Sequence, residues 1–325
     1  MKIAVMGSGA VGGYFGALLA RSGNSVCYLA RGANLSAMLE KGLQIDSVRE
    51  GFTLPIRRLQ DAQELNDASK GSFAFASDDS KIPGPVDLVL FCVKTYDTEA
   101  ASKQCFHLVG PPTVFLPLQN GIDSHDKLGR DHGRNHVLAG VAYILSSLLQ
   151  PGVIKHAGNP GRIVFGELDG SLSQRTQELH HIFEQAGFSS EVSSNIRKTL
   201  WEKFAMICAN GGMSALTRAT FGEMLSNTNT RSMLEKAMKE VVTVGIAEGV
   251  PFDPQFLEKT MKWTESLEPN GRASMHTDLA NGKRLELEAL NGRVLQLAKK
   301  HGIPVPMNFA IYAALAPHSM GRRDA

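Results

Sequence analysis

Gly7, Gly9 and Gly12 stand at the Gly-x-Gly-x-x-Gly spacing that lets a backbone turn accept a pyrophosphate. In that arrangement Gly7 permits the tight turn, Gly9 lets the backbone approach the phosphates, and Gly12 lets the following helix lie close on a sheet. Ser8, Ala10 and Val11 complete the turn, and free N–H groups and the helix dipole at its end hold negative charge. The flanks fit. Apolar Ile3 to Met6 precedes the glycines, an amphipathic run with Gly13 and Gly16 follows to Arg21, and a second strand pattern begins at Ser25. The order strand, glycine turn, helix, strand predicts a bound dinucleotide rather than an empty glycine-rich loop. An NAD-preferring site usually ends its second strand with Asp or Glu. Here that strand ends Leu29-Ala30-Arg31. A guanidinium there pairs with a 2′-phosphate, so the expected cofactor is NADP(H); the plain alternative for Arg31 is a solvated loop arginine.

Two further clusters sit at ends of apolar runs, where doubly wound sheets place their ligands. They are Cys92-Val93-Lys94-Thr95-Tyr96 and Pro117-Leu118-Gln119-Asn120-Gly121. Lys94 and Asn120 are candidates to meet the phosphate, ribose and nicotinamide of a cofactor, although Asn-Gly is also a common turn. In the later half, Lys203, Ile207, Asn210, Gly211 and Ser214 share one helix face. Taken alone, Lys203 is more often a surface lysine with its stem on apolar neighbours, and Glu286 with Glu288 passes for a solvated helix start.

These groups need two different scaffolds. Apolar runs at Val86–Val93, Thr113–Leu118, Val137–Ile144 and Arg162–Gly166, added to the first two strands, suit a mostly parallel sheet covered by helices. From about Lys198 the pattern turns helical, over Leu200–Met213, Ser232–Glu248, Phe256–Thr264 and Leu285–His301. The expected fold is α/β: an N-terminal Rossmann-type doubly wound parallel sheet followed by an all-α C-terminal domain. The boundary falls near 190–197, giving 1–193 for the cofactor and 194–325 for the substrate. The polar stretch 61–85 reads as an exposed excursion, with Phe73 and Phe75 as anchors.

Composition narrows the function classes. A length of 325 residues at 43% hydrophobic is enough for two cored domains, and a net charge of +2 gives no field for nucleic acid or an anionic membrane. No apolar stretch reaches about twenty residues, so no membrane span is expected. A strand starting at Lys2 leaves no room for a signal peptide, and Cys27, Cys92, Cys105 and Cys208 show no CxxC pairing. Buried free thiols and a cytoplasmic location are expected. No histidine spacing suggests a metal.

Several blocks together resemble the ketopantoate reductase (2-dehydropantoate 2-reductase) family over nearly the whole chain. They are the glycine fingerprint with Arg31, Val93-Lys94-Thr95, Gln119-Asn120-Gly121, Trp201-Glu202-Lys203-Phe204, Ser214-Ala215-Leu216-Thr217, Ser274-Met275 with Asp278, Glu286 through Gly292, and His301 through Pro306. The resemblance implies an oxidoreductase of pantothenate and coenzyme A biosynthesis, with a Rossmann domain for NADPH and a helical domain that closes over a keto acid. It implies Lys203 as catalytic lysine and Glu286 as active-site glutamate. Asn120 is implied near the nicotinamide and substrate, Lys94 beside the cofactor, and Ser274 on the substrate carboxylate. A cationic donor suits hydride reduction, because negative charge develops on the ketone oxygen. Desolvation would bring a lysine pKa toward working pH. Helical second domains of this kind often pair, so a homodimer is a candidate assembly.

The chain departs from the family at the positions four and eight residues after the lysine, where asparagines are usual. Here they are Ile207 and Gly211, with Asn210 one step before the second. One residue is about 100° around a helix, so Asn210 replaces the missing amide only with a bulge or shift. Gly271 likewise stands three residues before Ser274 where the family has asparagine, and Asn270 precedes it. A pocket wall with fewer amides admits three expectations: reduction of ketopantoate, reduction of another 2-keto acid or ketone, or an NADP(H)-binding sensor without catalysis.

Overall fold

The computed structural model describes residues 1–59, 74–78 and 84–322. Its backbone packs as two units, one of Met1–Gln119 with Asp123–Ile196, the other of Asn120–Ile122 with Arg197–Ala325.

The first unit is built on six parallel strands: β1 (Lys2–Met6), β2 (Ser25–Leu29), β5 (Ile56–Arg58), β6 (Ala74–Ser77), β7 (Leu88–Phe91) and β8 (Val114–Pro117). Their order is β5-β6-β2-β1-β7-β8, so the chain reverses direction across the sheet between β1 and β7. That is the switch point where such sheets bind ligands. Strands buried on both faces read as continuous apolar runs, as Ile3–Met6 and Leu88–Phe91 do. On one face Ala4, Met6, Cys27, Phe91 and Phe115 pack with Ala101 of α3 (Thr98–Gln104) and Leu128 of α4 (Ser124–His132). On the other, Ile3, Val5, Val26 and Tyr28 pack with Phe15 and Leu19 of α1 (Ala10–Arg21). The segment expected as an excursion over 61–85 lies largely outside the described residues. Within them it contains β6, where Phe75 is 4% exposed and pairs with Cys27.

Two of the apolar runs belong elsewhere. Val137–Ile144 and Arg162–Gly166 are not further strands of the parallel sheet. Val137 makes only a single parallel bridge to Phe115 of β8; the runs otherwise fall in β9 (Ala139–Gln150) and β10 (Val153–Gly166), an antiparallel hairpin. A second, mixed sheet forms around β10, which pairs in parallel with β3 (Leu43–Ser47) and with β11 (Ser189–Val192); β4 (Phe52–Leu54) adds to β3. Helix α1 is wedged between the sheets by its small face. A side-chain carbon on Gly13 would meet Ile154 Cδ1 at 2.2 Å, and one on Gly16 would meet the Tyr28 hydroxyl at 2.8 Å. Helices α2 (Gly32–Lys41) and α5 (Gln174–Gln185) complete this unit.

The second unit is helical. It comprises α6 (Ile196–Thr217), α7 (Phe221–Ser226), α8 (Thr228–Ala247), α9 (Phe256–Glu265), α10 (Ser274–Ala280), α11 (Arg293–His301) and α12 (Pro306–Leu315). Asn291 explains part of the Leu-Asn-Gly block: its amide donates to Cys208 O of α6 at 3.2 Å and Asn308 Oδ1 of α12 at 3.0 Å. Asn308 in turn donates to Ala237 O and Glu240 Oε2 of α8, while Glu240 accepts from two N–H groups at the start of α12. Buried amide donors paired in this way fix helix register, although Asn291 Oδ1 itself is buried without a partner. Among the described residues, no helix is long and apolar enough to cross a membrane.

Candidate active site

In the first unit, β1 ends at Met6 and the chain turns sharply through Gly7 at φ 100°. A side chain there would meet Val93 N at 2.8 Å, so the turn can press against the end of β7 only as glycine. Gly12 is closer still: an added carbon would lie 2.2 Å from Gly7 O and 3.0 Å from Cys92 Cβ. Gly9 is different. No atom lies within 4 Å of where its side chain would be, and its φ of −75° is ordinary. Neither its strand nor its helix requires glycine there, yet a phosphate group drawn against the backbone does. The start of α1 has no side-chain cap and no acid in its first turn, which leaves the N–H groups of Ala10 and Val11 available to an anion. This unit's residues therefore fit a dinucleotide.

The comparison of glycines gives a direct test. Gly12→Ala should overpack the turn and cost about 1–3 kcal/mol of stability. Gly9→Ala should cost no more than about 1 kcal/mol, as a poorer N-cap, while sharply weakening nucleotide binding. Thermal melts and cofactor titrations of both variants check this; a Gly9→Ala protein with unchanged cofactor affinity contradicts the close approach.

Two residues missed in the sequence support this turn. Asn34, in the first turn of α2, donates to Ser8 O at 3.0 Å and Ser8 Oγ at 2.9 Å, and accepts from Gly152 N at 2.8 Å. It pins the glycine loop to the β9–β10 turn. Asp97 holds Arg31 in an exposed ion pair at 3.0 Å, across the switch point from the end of β2. No local pattern marks either residue, because each acts on a segment distant in sequence. Gln119 ties β8 to β7, donating to Val93 O at 2.8 Å and Thr98 Oγ1 at 2.9 Å, and its Oε1 is buried with no partner. Lys94 precedes a short 3-10 turn, Thr95–Asp97, and is half-buried. Burial pushes the neighbouring Cys92 thiol to about 12, so it is inert at neutral pH.

In the second unit Lys203 lies on α6. Part of the residue is accessible, yet the ammonium lies deep among protein atoms. That burial lowers its pKa to about 8, with the negative charge of Glu286 opposing the shift. Glu286 is itself 8% exposed and stands just before a π turn, Glu288–Gly292, in which Gly292 N bonds Leu287 O at 2.9 Å. The single helix expected over Leu285–His301 is therefore interrupted, and such turns often mark functional positions. Asn210 is 6% exposed on the Lys203 face of an unbulged α6; it donates to Thr264 Oγ1 of α9 at 3.2 Å and keeps Oδ1 unpartnered. Gly211 faces Met275 and Ile207 at 3.8 and 3.9 Å from its absent side chain, which makes this wall apolar. Ser274 opens α10. Asn120 belongs to the short turn that packs with this unit.

The chain matches the family description Ketopantoate reductase PanE/ApbA over residues 3–170 and its C-terminal counterpart over residues 195–319. It is 29% identical over 323 residues to the 2-dehydropantoate 2-reductase of Pyrococcus horikoshii, covering 99% of both chains. A PanE/ApbA family ketopantoate reductase from Ralstonia eutropha JMP134 superposes with a TM-score of 0.85 at 30% identity, over 98% of each chain. D-mandelate dehydrogenase with NADH and anilino(oxo)acetate shares the fold at a TM-score of 0.87 and 20% identity, over 98% of each chain. The six-stranded switch-point sheet, the helical second unit and both matched regions agree: this chain belongs to the ketopantoate reductase PanE/ApbA family, whose members are NAD(P)-dependent oxidoreductases acting on CH–OH groups.

Proposed function

We propose that the chain is an NADPH-dependent reductase of a branched 2-keto acid, ketopantoate first, with residues 1–193 holding the cofactor and 194–325 the substrate. The observation that carries this reading is Lys203: a lysine whose burial brings its pKa to about 8, beside a buried glutamate. Few structural roles call for an ammonium made that acidic, whereas a general acid works best near the operating pH. When bound, NADPH supplies the hydride. Gly7, Ser8, Gly9, Ala10, Val11 and Gly12 hold its pyrophosphate, Arg31 its 2′-phosphate, and Lys94 and Asn120 its sugar and nicotinamide end. Gln119 Oε1 is a spare acceptor for a carboxamide N–H.

Lys203 donates its Nζ proton to the ketone oxygen as the C=O pair moves onto it, and the neutral amine then recovers a proton from water. Glu286 keeps the ammonium charged in the resting site and orients it. Ser274 holds the carboxylate. Because α6 is unbulged, Asn210 does not take the family amide's position; it offers its unpartnered Oδ1 to a substrate hydroxyl from one step along the helix, on the Lys203 face.

The wall formed by Ile207, Gly211 and Met275 favours a second reading, a 2-keto acid with a more apolar side chain. D-mandelate dehydrogenase, which shares the fold, is named for the aromatic hydroxy acid on which it acts. Steady-state assays of NADPH and NADH with ketopantoate, phenylglyoxylate and straight-chain 2-keto acids separate the two. Turnover on ketopantoate supports the first reading and preference for phenylglyoxylate the second. NADPH binding without oxidation on any of them would instead leave a sensor.

Asp97 adds a prediction. Its carboxylate occupies the Arg31 guanidinium that a 2′-phosphate needs. An exposed pair contributes about 0.2–1 kcal/mol, so Asp97→Asn should tighten NADPH by up to about fivefold and leave NADH nearly unchanged. Fluorescence titration with both cofactors checks this, and weaker NADPH binding would mean that Asp97 orients Arg31 rather than competing for it.

A further inference from the structure

We propose that the helical unit carries a second anion site, a cavity of about 380 Å³ on the far side of α10 from Ser274, that binds a phosphate or pyrophosphate group. Its wall brings together Arg218, His276, Lys283, His318 and Arg322, and among the described residues no carboxylate lines it. Among the described residues, Arg218, Lys283 and Arg322 make no ion pair, so three exposed permanent charges line one cavity. Like charges gathered this way repel, weakly at exposed positions, and an anion between them relieves that repulsion. Two guanidinium forks and an ammonium suit the several oxygens of a phosphate better than one carboxylate.

The backbone shows that the cavity is built rather than accidental. Arg218 follows α6 at φ 57° and is the one non-glycine residue with positive φ among those described. Glycine is the usual choice at such a helix end, so a side chain held there calls for a reason. Opposite, the turn at 318–322 is tied to the segment before Glu286: Leu285 N bonds Ser319 O at 2.8 Å and Arg322 N bonds Gly282 O at 2.9 Å. A side chain on Gly321 would come within 2.6 Å of Gly282 O, so this junction closes only with glycine. His276 is buried, and its burial together with Arg272 and Arg218 lowers its pKa, leaving a neutral imidazole to bond rather than repel.

The site is separate from the substrate residues. Ser274 and His276 are two residues apart on α10, about 200° around the helix. An occupant would nonetheless press on the Gly282–Leu285 segment that leads into Glu286. The chemistry fits free phosphate as well as the phosphate end of a metabolite.

Calorimetric titration of the full chain with pyrophosphate, and separately with inorganic phosphate, tests this. NADP⁺ is present in excess so that the α1 terminus is filled. Saturable binding of pyrophosphate beyond that of sodium chloride at equal ionic strength is expected, with tighter binding of pyrophosphate than phosphate if the natural ligand is a diphosphate ester. Arg218→Gly with Lys283→Gln should weaken it by about tenfold or more while NADP⁺ affinity holds. Glycine keeps the left-handed turn, so the double variant retains its fold, and a thermal melt verifies it. Arg322→Gln alone, at an exposed position, should weaken binding in the same direction. Equal binding by wild type and both variants, or no saturable binding by wild type, overturns the proposal.

Discussion

Replacing Lys203 with alanine is expected to lower kcat by about two orders of magnitude or more, the range for a lost general acid. The magnitude follows from what the ammonium does at the transition state. Hydride arrival places a full charge on the ketone oxygen, and without Lys203 that oxygen must be protonated from water or carried as an alkoxide. Because the ammonium lies deep among protein atoms, its interaction with the oxygen is strong and needs little reorganisation. NADPH affinity should hardly change, so the loss appears in kcat. Lys203→Arg should recover little, since a guanidinium does not give up its proton. If Lys203→Ala retained kcat within severalfold of wild type, Lys203 would be a surface lysine with its stem on apolar neighbours, and another group would deliver the proton.

Arg31→Ala is the second large effect expected. A charge-assisted bond to a 2′-phosphate is worth about 1.5–3 kcal/mol, so NADPH should bind roughly tenfold to a hundredfold more weakly. NADH has no group there and should lose little. The Asp97 pair sharpens the contrast, because the alanine variant leaves an uncompensated carboxylate beside the incoming phosphate. Kd values for both cofactors, measured by quenching or calorimetry, decide it. Equal losses for NADPH and NADH would remove the 2′-phosphate role and leave cofactor choice to other residues.

The parts of this protein legible from sequence are those where local physics and tertiary role coincide. Residues 2 to 29 are the clearest: a doubly buried strand must be continuously apolar, and Gly7 and Gly12 are forced by contacts as short as 2.2 Å. The long helices of the second unit were readable from their periodicity. The hairpin of β9 and β10 was not. Its apolar ends look like two short parallel strands, because exposed residues such as Leu145 and Leu149 and a register shift between Ala157 and Arg162 break the pattern between them. Strand β6 was hidden by its polar surroundings, and α12 by its starting proline, which is tolerated in a first turn. Of the site, the fingerprint and Arg31 could be read from residue chemistry. Lys203 and Glu286 came only through family resemblance, since alone each looks like a solvated charge. Asn34 and Asp97 had no signal, because their partners Ser8, Gly152 and Arg31 come near only in the fold.

The lysine's displaced pKa has two consequences of known sign. Its folded value of about 8 lies below the ordinary 10.5, so the unfolded chain holds this proton more tightly. Stability from this group therefore rises with pH between those values. Activity moves oppositely, because the donor must be the ammonium. The most direct test is the pH profile of kcat/KM for NADPH-dependent reduction of the best 2-keto acid, followed from pH 6 to 10. The account predicts a plateau at low pH and a tenfold fall per unit above a pKa near 8 that belongs to Lys203. A profile flat through pH 10 would contradict it, for then no acid of that strength delivers the proton.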